Sequence, residues 1–276
     1  HSGTLQIAEG ANVYFWDGSK LALSVEEKNA NDTFLINSMD RIRGVDNIYI
    51  TVKNDQAYGT YNIAANSTVF SGTATIVSGG NEIAVISVNG DLALCGITTY
   101  ALKQTNGNLT LQIAKDTTPP AVPVITVDQT EWTNGTVNVS ATFDPAAVLN
   151  QFSYDQNNWV TYTGPVSCSE NKTVYFKSVN RAGNVSTASF QITNIDTEKP
   201  VVSVTGNPVE WTNSSVSLTL SASDADSGIK SFQYSYDNTN WNNCAATLTV
   251  SQNKTIYFKT EDTAGNITTE IVNVTR

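Results

Sequence analysis

Histidine is almost absent from this sequence of 276 residues, in which His1 is the only one. This absence excludes a Ser-His-Asp triad, a zinc site with several histidine ligands and general-base catalysis by histidine inside a fold. We interpret His1 as a remnant of processing or expression. The 25 acidic residues can be paired in many ways, and none lies in an aromatic-rich segment that would shape a sugar-cleaving cleft. The sequence therefore predicts that the protein is not an enzyme.

Charged residues are also scarce, at 14% of the chain, and the net charge is −10. Acidic residues outnumber basic ones in each third of the chain, and lysine and arginine do not cluster. Binding to nucleic acid and to anionic lipid both depend on basic clusters, so neither is expected. An apolar run long enough to cross a membrane is absent too, which predicts no membrane insertion within this segment.

Cysteine occurs three times, as Cys95, Cys168 and Cys244. An odd number of widely spaced cysteines is not a disulfide framework. We expect three buried thiols that act as small hydrophobic side chains. A secreted chain without paired cysteines is typical of a bacterial exported protein.

Methionine occurs once, whereas threonine, serine, asparagine and valine are abundant, which favours strands over helices. Residues 1–115 alternate polar and apolar positions between turn signals, and a short helical turn is expected near Asn37 to Arg43. We expect an all-β domain that forms a sandwich or a barrel, with a β-solenoid as the alternative. Hairpins are predicted at four dipeptides, namely Asp17-Gly18, Gly79-Gly80, Asn89-Gly90 and Asn106-Gly107.

The rest of the chain contains one unit twice. Glu131-Trp132-Thr133-Asn134 is repeated as Glu210-Trp211-Thr212-Asn213, and Ala182-Gly183-Asn184 is repeated as Ala264-Gly265-Asn266. The middle of each unit shares Ser-Tyr-Asp, Asn-Trp and Tyr-Phe-Lys segments. Proline-containing joints precede both copies, so the sequence predicts three domains, at residues 1–115, 116–195 and 196–276, held in a semi-rigid row.

Each repeat reads as an immunoglobulin-like β-sandwich. Apolar residues alternate along one strand of each copy, at Val137, Val139, Ala141 and Phe143 and at Val216, Leu218, Leu220 and Ala222. About seven short strands fit into each unit of about 80 residues, as in immunoglobulin folds. We expect the second core to form around Trp211, Phe232 and Phe258.

These shared motifs resemble the tandem bacterial Ig-like repeats of large cell-surface and adhesin-type proteins, over residues 116–276. The resemblance implies an extracellular structural or adhesive module without catalytic residues. Residues 70–94 loosely resemble the repetitive segments of autotransporter passengers, which are β-solenoids.

Acidic residues gather at one end of the second repeat. In immunoglobulin topology the start of the chain, the B–C loop and the F–G loop share that end, which predicts that Asp196, Asp224, Asp226, Glu261 and Asp262 lie together. Ca²⁺ takes six to eight oxygen ligands, so we expect these residues to bind Ca²⁺ weakly. The alternative is a solvated acidic loop whose carboxylates cap turns.

The first repeat lacks this pattern. Asp144-Pro145-Ala146 stands where the second repeat has Asp224-Ala225-Asp226, and Val179-Asn180-Arg181 stands where it has Glu261-Asp262-Thr263. The Arg181 guanidinium is expected to take the place of a cation there. We expect no Ca²⁺ at the joint that begins at Asp116 and no other cofactor.

The run Tyr14-Phe15-Trp16 predicts at least one outward-facing aromatic side chain, because successive strand residues point to opposite faces. Tyr14 and Trp16 are candidates for contacting a glycan; the alternative is a half-buried strand. The four tryptophans that recur at equivalent repeat positions are expected to pack rather than to bind, and they are Trp132, Trp159, Trp211 and Trp241.

The sequence as a whole favours a non-catalytic segment of a bacterial surface or secreted protein. It would space or present a binding element, and its partner would be a protein or glycan on a cell or matrix surface. Two alternatives remain open at this point. One is an assembly of glycan-binding modules with the sugar site in the first domain, and the other is a non-catalytic appendage of a larger secreted hydrolase.

Overall fold

The computed structural model describes residues 4–16 and 19–276. His1 and the predicted Asp17-Gly18 turn lie outside the described residues. The chain divides into two compact units, which are His1–Pro120 with Val179–Val185 and Ala121–Ser178 with Ser186–Arg276. The described residues contain three clusters of buried apolar side chains, within residues 7–113, 125–195 and 204–274. The division into three domains at the predicted boundaries stays a prediction.

The regular secondary structure of the first region consists almost entirely of short strands, as predicted. One turn of 3-10 helix, Met39–Arg41, confirms the expected helical turn. The strands are β1 Val13–Tyr14, β2 Leu21–Ser24, β3 Ile42–Arg43, β4 Asn47–Val52, β5 Gly59–Ala64, β6 Thr73–Ser78, β7 Asn81–Ser87, β8 Ala93–Cys95, β9 Thr98–Thr105 and β10 Asn108–Lys115.

Two four-stranded sheets share the first core. One has the order β2-β4-β6-β7 and the other the order β5-β10-β9-β8. Inward-facing residues such as Ile48, Ile76, Leu102 and Leu111 are at most 1% exposed and belong to one cluster. Among the described strands neither sheet closes into a barrel. The expected sandwich therefore describes how these sheets enclose the core.

Several strands of this region pair in parallel. Leu21 pairs with Ile48, which in turn pairs with Ala74, while Val13 pairs with Ile42 and Leu5 with Ile36. In a β-solenoid, each turn of the chain adds a strand that pairs in parallel with the strand of the previous turn. The parallel strands β2, β4 and β6 share this feature with the solenoid alternative, but the solenoid itself stays a prediction. The resemblance of residues 70–94 to autotransporter passengers stays a prediction.

Two of the predicted hairpins form. Gly79-Gly80 joins the antiparallel strands β6 and β7, and Asn106-Gly107 joins β9 and β10. Asn106 and Gly107 have φ values of +51° and +74°, as a two-residue turn of the primed type requires. The hairpin predicted at Asn89-Gly90 is wrong. This turn instead carries the chain from β7 in one sheet to β8 in the other, so the two strands cannot pair as a hairpin.

The first repeat is a seven-stranded sandwich. Sheets of order β11-β12-β15 and β14-β13-β16-β17 pack around one core. This seven-strand, two-sheet arrangement is immunoglobulin-like, as predicted. The strands are β11 Val124–Val127, β12 Val137–Thr142, β13 Ala147–Ser153, β14 Val160–Thr161, β15 Val166–Cys168, β16 Thr173–Asn180 and β17 Val185–Gln191.

The second repeat has the same topology, with sheets of order β18-β19-β22 and β21-β20-β23-β24. Val216, Leu218 and Leu220 point into the core from β19, which confirms the predicted alternation. The strands are β18 Val201–Thr205, β19 Val216–Ser223, β20 Ile229–Ser235, β21 Asn242–Asn243, β22 Thr247–Val250, β23 Lys254–Asp262 and β24 Ile267–Val274.

The tryptophan predicted for the second core is not in it. Phe258 is fully buried and Phe232 packs beside it with ring centroids 6.1 Å apart, but the Trp211 side chain is 77% exposed. Its counterpart Trp132 is half-buried. Residue 211 precedes β19 and so lies outside the sandwich rather than between its sheets.

The three cysteines are unpaired thiols that pack against the cores. Cys168 is 2% exposed, whereas Cys95 and Cys244 are partly buried. Burial raises the pKa of the Cys244 thiol to about 11 and also raises that of Cys168. A raised pKa keeps a thiol protonated and unreactive at neutral pH, in keeping with the role expected of a small hydrophobic side chain.

Candidate functional site

Three carboxylates meet at one end of the second repeat. Asp196 lies just before β18, Asp224 follows β19, and Asp262 is the last residue of β23. Each offers an oxygen, and these oxygens all lie within 4.8 Å of one another. Asp196 is 2% exposed and Asp262 is fully buried, so two carboxyl groups are held close together away from water.

Backbone amides hold the Asp224 and Asp196 carboxylates in place. Asp224 Oδ1 accepts hydrogen bonds from the amides of Gly228 at 2.9 Å and Asp226 at 3.2 Å, so the side chain caps the loop between β19 and β20. The same loop reaches Asp196, because the Ser227 amide donates to Asp196 Oδ2 at 3.2 Å. Asp196 Oδ1 accepts a further bond from the Glu198 amide at 3.0 Å.

Asn266 ties the third carboxylate to the first. Its amide nitrogen donates to Asp262 Oδ1 at 2.8 Å, and its side-chain Nδ2 donates both to Asp262 Oδ2 at 2.8 Å and to the Asp196 carbonyl oxygen at 2.9 Å. The sequence marked Asn266 only as part of a shared motif. The same asparagine recurs in the first repeat as Asn184, and this recurrence indicates that it supports a buried polar site in both copies.

Two of the five predicted ligands are not in the cluster. Glu261 pairs with Lys230 at 2.6 Å, because it alternates with Asp262 along β23 and points to the opposite face of the sheet. Asp226 is exposed and takes part through its backbone amide only. The predicted group is therefore reduced to Asp196, Asp224 and Asp262.

The equivalent place in the first repeat has a different charge. Asp116, which is 3% exposed, corresponds to Asp196, and Asn180 corresponds to Asp262. Asn180 Nδ2 donates to Asp116 Oδ2 at 2.9 Å, so an amide faces the carboxylate. Asn184 Nδ2 donates to the Asp116 carbonyl oxygen at 2.9 Å, as Asn266 does in the second repeat. The predicted guanidinium partner is wrong, because Arg181 is exposed and the Asn180 amide takes that place.

The acidic end of the second repeat also contacts the loop of the first repeat that carries Thr133 and Asn134, between β11 and β12. The Asp196 amide donates to the Thr133 carbonyl oxygen at 3.0 Å, and the Asn134 amide donates to the Ala264 carbonyl oxygen at 3.1 Å. Thr133 and Ile195 form a parallel bridge. The Glu-Trp-Thr-Asn motif of one repeat thus contacts the Ala-Gly-Asn motif of the next, and the contact lies beside the carboxylates.

A second polar feature recurs in both repeats, at the Ser-Tyr-Asp segments. Asp155 accepts hydrogen bonds from the amides of Asn157 and Asn158, and Asp237 accepts them from Thr239 and Asn240. These bonds hold the pKa of both carboxyl groups well below the usual range. The adjacent Trp159 and Trp241 rings lie under Lys177 and Lys259, at 4.2 and 4.7 Å from ring centroid to Nζ, as stacked surface pairs.

The two candidate glycan-contacting residues are both exposed. Tyr14 is 67% and Trp16 is 82% exposed, whereas Phe15 between them packs against the first core. Tyr14 pairs with Arg43 across β1 and β3. Arg43 also lines a cavity of about 470 Å³ with Asp46 and Ser71.

Within the described residues no helix has the length and apolar character needed to span a bilayer.

No protein-family model matches the chain, and no curated protein matches it either. Among solved structures it is similar to the full ectodomain (Ig1–Ig3) of mouse nectin-like molecule 4, with a TM-score of 0.33 and 14% identity over 82% of this chain and 97% of that one. It is also similar to a tetra-tandem repeat from the extending region of a large adhesion protein, with a TM-score of 0.23 and 20% identity over 64% of this chain and 56% of that one. A third match is Tp47, the 47-kilodalton lipoprotein of Treponema pallidum, with a TM-score of 0.22 and 7% identity over 69% and 64% of the two chains. These similarities are too distant to assign a family or a function.

Proposed function

We propose that this chain is a non-catalytic extracellular segment of a bacterial surface or secreted protein that spaces or presents a binding element. The observation that carries the proposal is the hydrogen-bonded joint between the two repeats. A spacer must resist bending, and here Thr133 and Asn134 of one repeat bond to Asp196 and Ala264 of the next. Short loops with few free backbone groups transmit orientation better than a flexible linker.

Nitrogen-15 relaxation on the full chain tests this role. Each repeat yields a rotational correlation time, and the two values should agree if the joint is stiff. A four-residue Gly-Ser insertion after Ile195 separates the bonded groups and should make the repeats tumble with different correlation times. The same insertion after Gly164, a turn position with open space around it, is the matched control and should change nothing. Different correlation times in the unmodified chain would overturn the proposal.

We further propose that the joint binds Ca²⁺ through Asp196, Asp224 and Asp262. Two oxygens on one Ca²⁺ lie at most about 5 Å apart, since each Ca–O distance is about 2.3–2.6 Å, and the three carboxylate oxygens, which all lie within 4.8 Å of one another, fit that limit. The replacement of the Asn180 amide by the Asp262 carboxylate favours the same conclusion, because it exchanges a hydrogen-bond donor for two further oxygen ligands. The first repeat has the amide and should not bind.

Calorimetry of the full chain in millimolar calcium, with chelator for comparison, tests the ion site. A dissociation constant on the order of 10⁻⁴ to 10⁻³ M is expected for an extracellular module. Calcium at about ten times that constant, which is in the millimolar range, would add about 1.4 kcal/mol to the free energy of unfolding. Asp224→Asn should weaken the response and Asp226→Asn should preserve it, because Asp226 lies outside the cluster. An unchanged melting temperature would contradict the ion site and favour the alternative, an acidic loop whose carboxylates only cap turns.

A second candidate function is glycan binding by the first region. It is favoured by the shared exposure of Tyr14 and Trp16, since aromatic faces stack on sugar rings and polar groups beside them can bind hydroxyls. A glycan array should show saturable binding that Trp16→Ala abolishes. Trp211→Ala removes an equally exposed tryptophan elsewhere and should bind like the unmodified chain. Equal loss in both variants, or no saturable binding, would contradict this function.

A further inference from the structure

The loop at residues 209–213 of the second repeat, which we term the distal loop, is the most exposed apolar segment of that repeat. Val209 is 97% and Trp211 is 77% exposed. Large apolar side chains that protrude together mark interaction surfaces more often than scattered single ones do. The distal loop is also the second copy of the Glu-Trp-Thr-Asn motif, so the first copy shows what such a loop contacts.

In the first repeat this loop is engaged. The Thr133 amide donates to the Asn194 carbonyl oxygen at 3.0 Å, the Thr133 carbonyl oxygen accepts from Asp196, and the Asn134 amide donates to Ala264. A Cβ atom on Gly265 would lie 3.7 Å from Asn134 Nδ2, so the Ala-Gly turn packs against the loop. Trp132 is half-buried in this setting.

The distal loop keeps the same local conformation without these contacts. Thr212 Oγ1 accepts from the Ser214 amide at 3.2 Å, as Thr133 Oγ1 accepts from the Gly135 amide at 3.0 Å. Within the part of the chain that the structure describes, the Thr212 amide and carbonyl and the Asn213 amide have no hydrogen-bond partner. A preformed loop with free backbone groups binds at a low cost in conformational entropy.

We propose that the distal loop is a docking surface for the Ala-Gly turn of another Ig-like repeat of this kind. The Asn213 amide would donate to the alanine carbonyl oxygen of the docked turn, as Asn134 does to Ala264, and Trp211 would be covered. This inference rests on the proposed spacer role, because it extends the joint between the repeats to a second position. It specifies a partner by its turn geometry: a glycine with φ near the +94° of Gly265, preceded by alanine.

The test joins a copy of residues 195–276 directly to Arg276 of the full chain. This spacing follows from the repeat, because Val274 pairs with Lys254 as Ile192 bonds to Lys172, so the appended Ile-Asp takes the place of Ile195-Asp196. Docking within one chain is favoured because a short link raises the effective concentration to the millimolar range. Hydrogen exchange at the Asn213 amide should slow at least tenfold relative to the unextended chain.

Two control fusions keep the result interpretable. Trp211→Ala in the fusion should reduce the protection at Asn213, while Trp16→Ala should not. A fusion with ten flexible residues before the copy should lose most of the protection, since a joint requires alignment. Unchanged exchange at Asn213 in the direct fusion would overturn the docking proposal. The spacer role is read separately, from the correlation times of the original two repeats, so the two proposals can fail independently.

Discussion

Asp155 and Asp237 illustrate how single side chains fix the middle loops of the repeats. Each carboxylate accepts two backbone amides and the hydroxyl of a serine two residues earlier, Ser153 or Ser235. The asparagine three residues later adds a bond to the second oxygen, at 2.6 Å in both copies. Acceptors with several donors are best satisfied when ionised, which explains the lowered pKa values of both groups.

Removing this charge should destabilise the second repeat in a manner that depends on pH. We expect Asp237→Asn to lower the melting temperature by about 2–5 °C at pH 7. Because the folded pKa is depressed, the stabilisation is complete above the unfolded value of about 4 and is lost as pH falls below it towards the folded pKa. The difference between the two proteins should thus be constant from pH 7 to about 5 and shrink below pH 4. A constant difference down to pH 2 would refute the charge-based explanation.

Phe258 and Trp211 should respond to substitution in opposite ways, although both were predicted to be core residues. Phe258 is fully buried, so Phe258→Ala should cost about 3–5 kcal/mol of unfolding free energy through lost burial and a cavity. Trp211→Ala should change it by less than about 0.5 kcal/mol, as expected for an exposed side chain. Urea denaturation of both variants measures the two values, and comparable losses would contradict the assigned burial.

The carboxylate cluster could be predicted from sequence only in part. Immunoglobulin topology brought the right loops together, and three of the five predicted acids converge. Glu261 was misplaced although the signal was present: Ile256, Phe258, Thr260 and Asp262 alternate inward along β23, so Glu261 must point outward. The role of Asn180 was missed because the two repeats were compared by their charged residues, and an amide side chain carries no charge. Only the packing shows that it faces a carboxylate.

At the scale of strands, the tight corners of the first region depend on glycine. A Cβ atom on Gly72 would lie 2.0 Å from the Asp46 carbonyl oxygen, and backbone cannot move aside as a flexible side chain can. The two residues belong to stacked turns that precede the parallel strands β4 and β6. The parallel pairing therefore requires a residue without a side chain at position 72.

Gly72→Ala should consequently loosen the parallel stack. Overpacking of this kind typically costs about 1–3 kcal/mol, and hydrogen exchange in β4 and β6 should accelerate before that in the repeats. Gly164→Ala is the matched control, because a Cβ atom there meets nothing within 4 Å. Equal stability of the two variants would show that the chain relieves the contact at no cost.

Local pattern and long-range pairing were not equally predictable. The Gly79-Gly80 and Asn106-Gly107 hairpins follow from turn chemistry between adjacent strands. By contrast, the pairing of β2 with β4 and of β4 with β6 joins residues far apart in the chain, such as Leu21 with Ile48 and Ile48 with Ala74, and strands of other sheets lie between them. Such pairing is set by how the core closes, and no turn signal between adjacent strands marks it. The exposure of Trp211 was equally hard to predict, because the same Glu-Trp-Thr-Asn motif has different neighbours in the two repeats.

At the scale of the molecule, the two repeats share a frame and differ in the charge at one end. Asp116 with Asn180 and Asp196 with Asp262 occupy equivalent places, and Asn184 and Asn266 bridge them alike. A neutral donor satisfies the first carboxylate without any ion. In the second repeat we propose that a cation lies between the carboxylates, where the first repeat has the amide donor. Exchanging this one residue, Asn180 or Asp262, should therefore exchange the dependence of a repeat on an ion.

Exchanging these two residues tests that idea in both directions. Asp262→Asn should raise the melting temperature of the second repeat in chelator, because its amide can donate to Asp196, and should abolish the response to calcium. Asn180→Asp should cost about 3–5 kcal/mol in chelator, since it replaces the Nδ2 donor to Asp116 by a second buried carboxylate. Calorimetry of each variant with and without calcium measures both effects. Recovery of Asn180→Asp in calcium would show that the charge pattern alone creates the site, whereas a calcium response that survives Asp262→Asn would place the ion elsewhere.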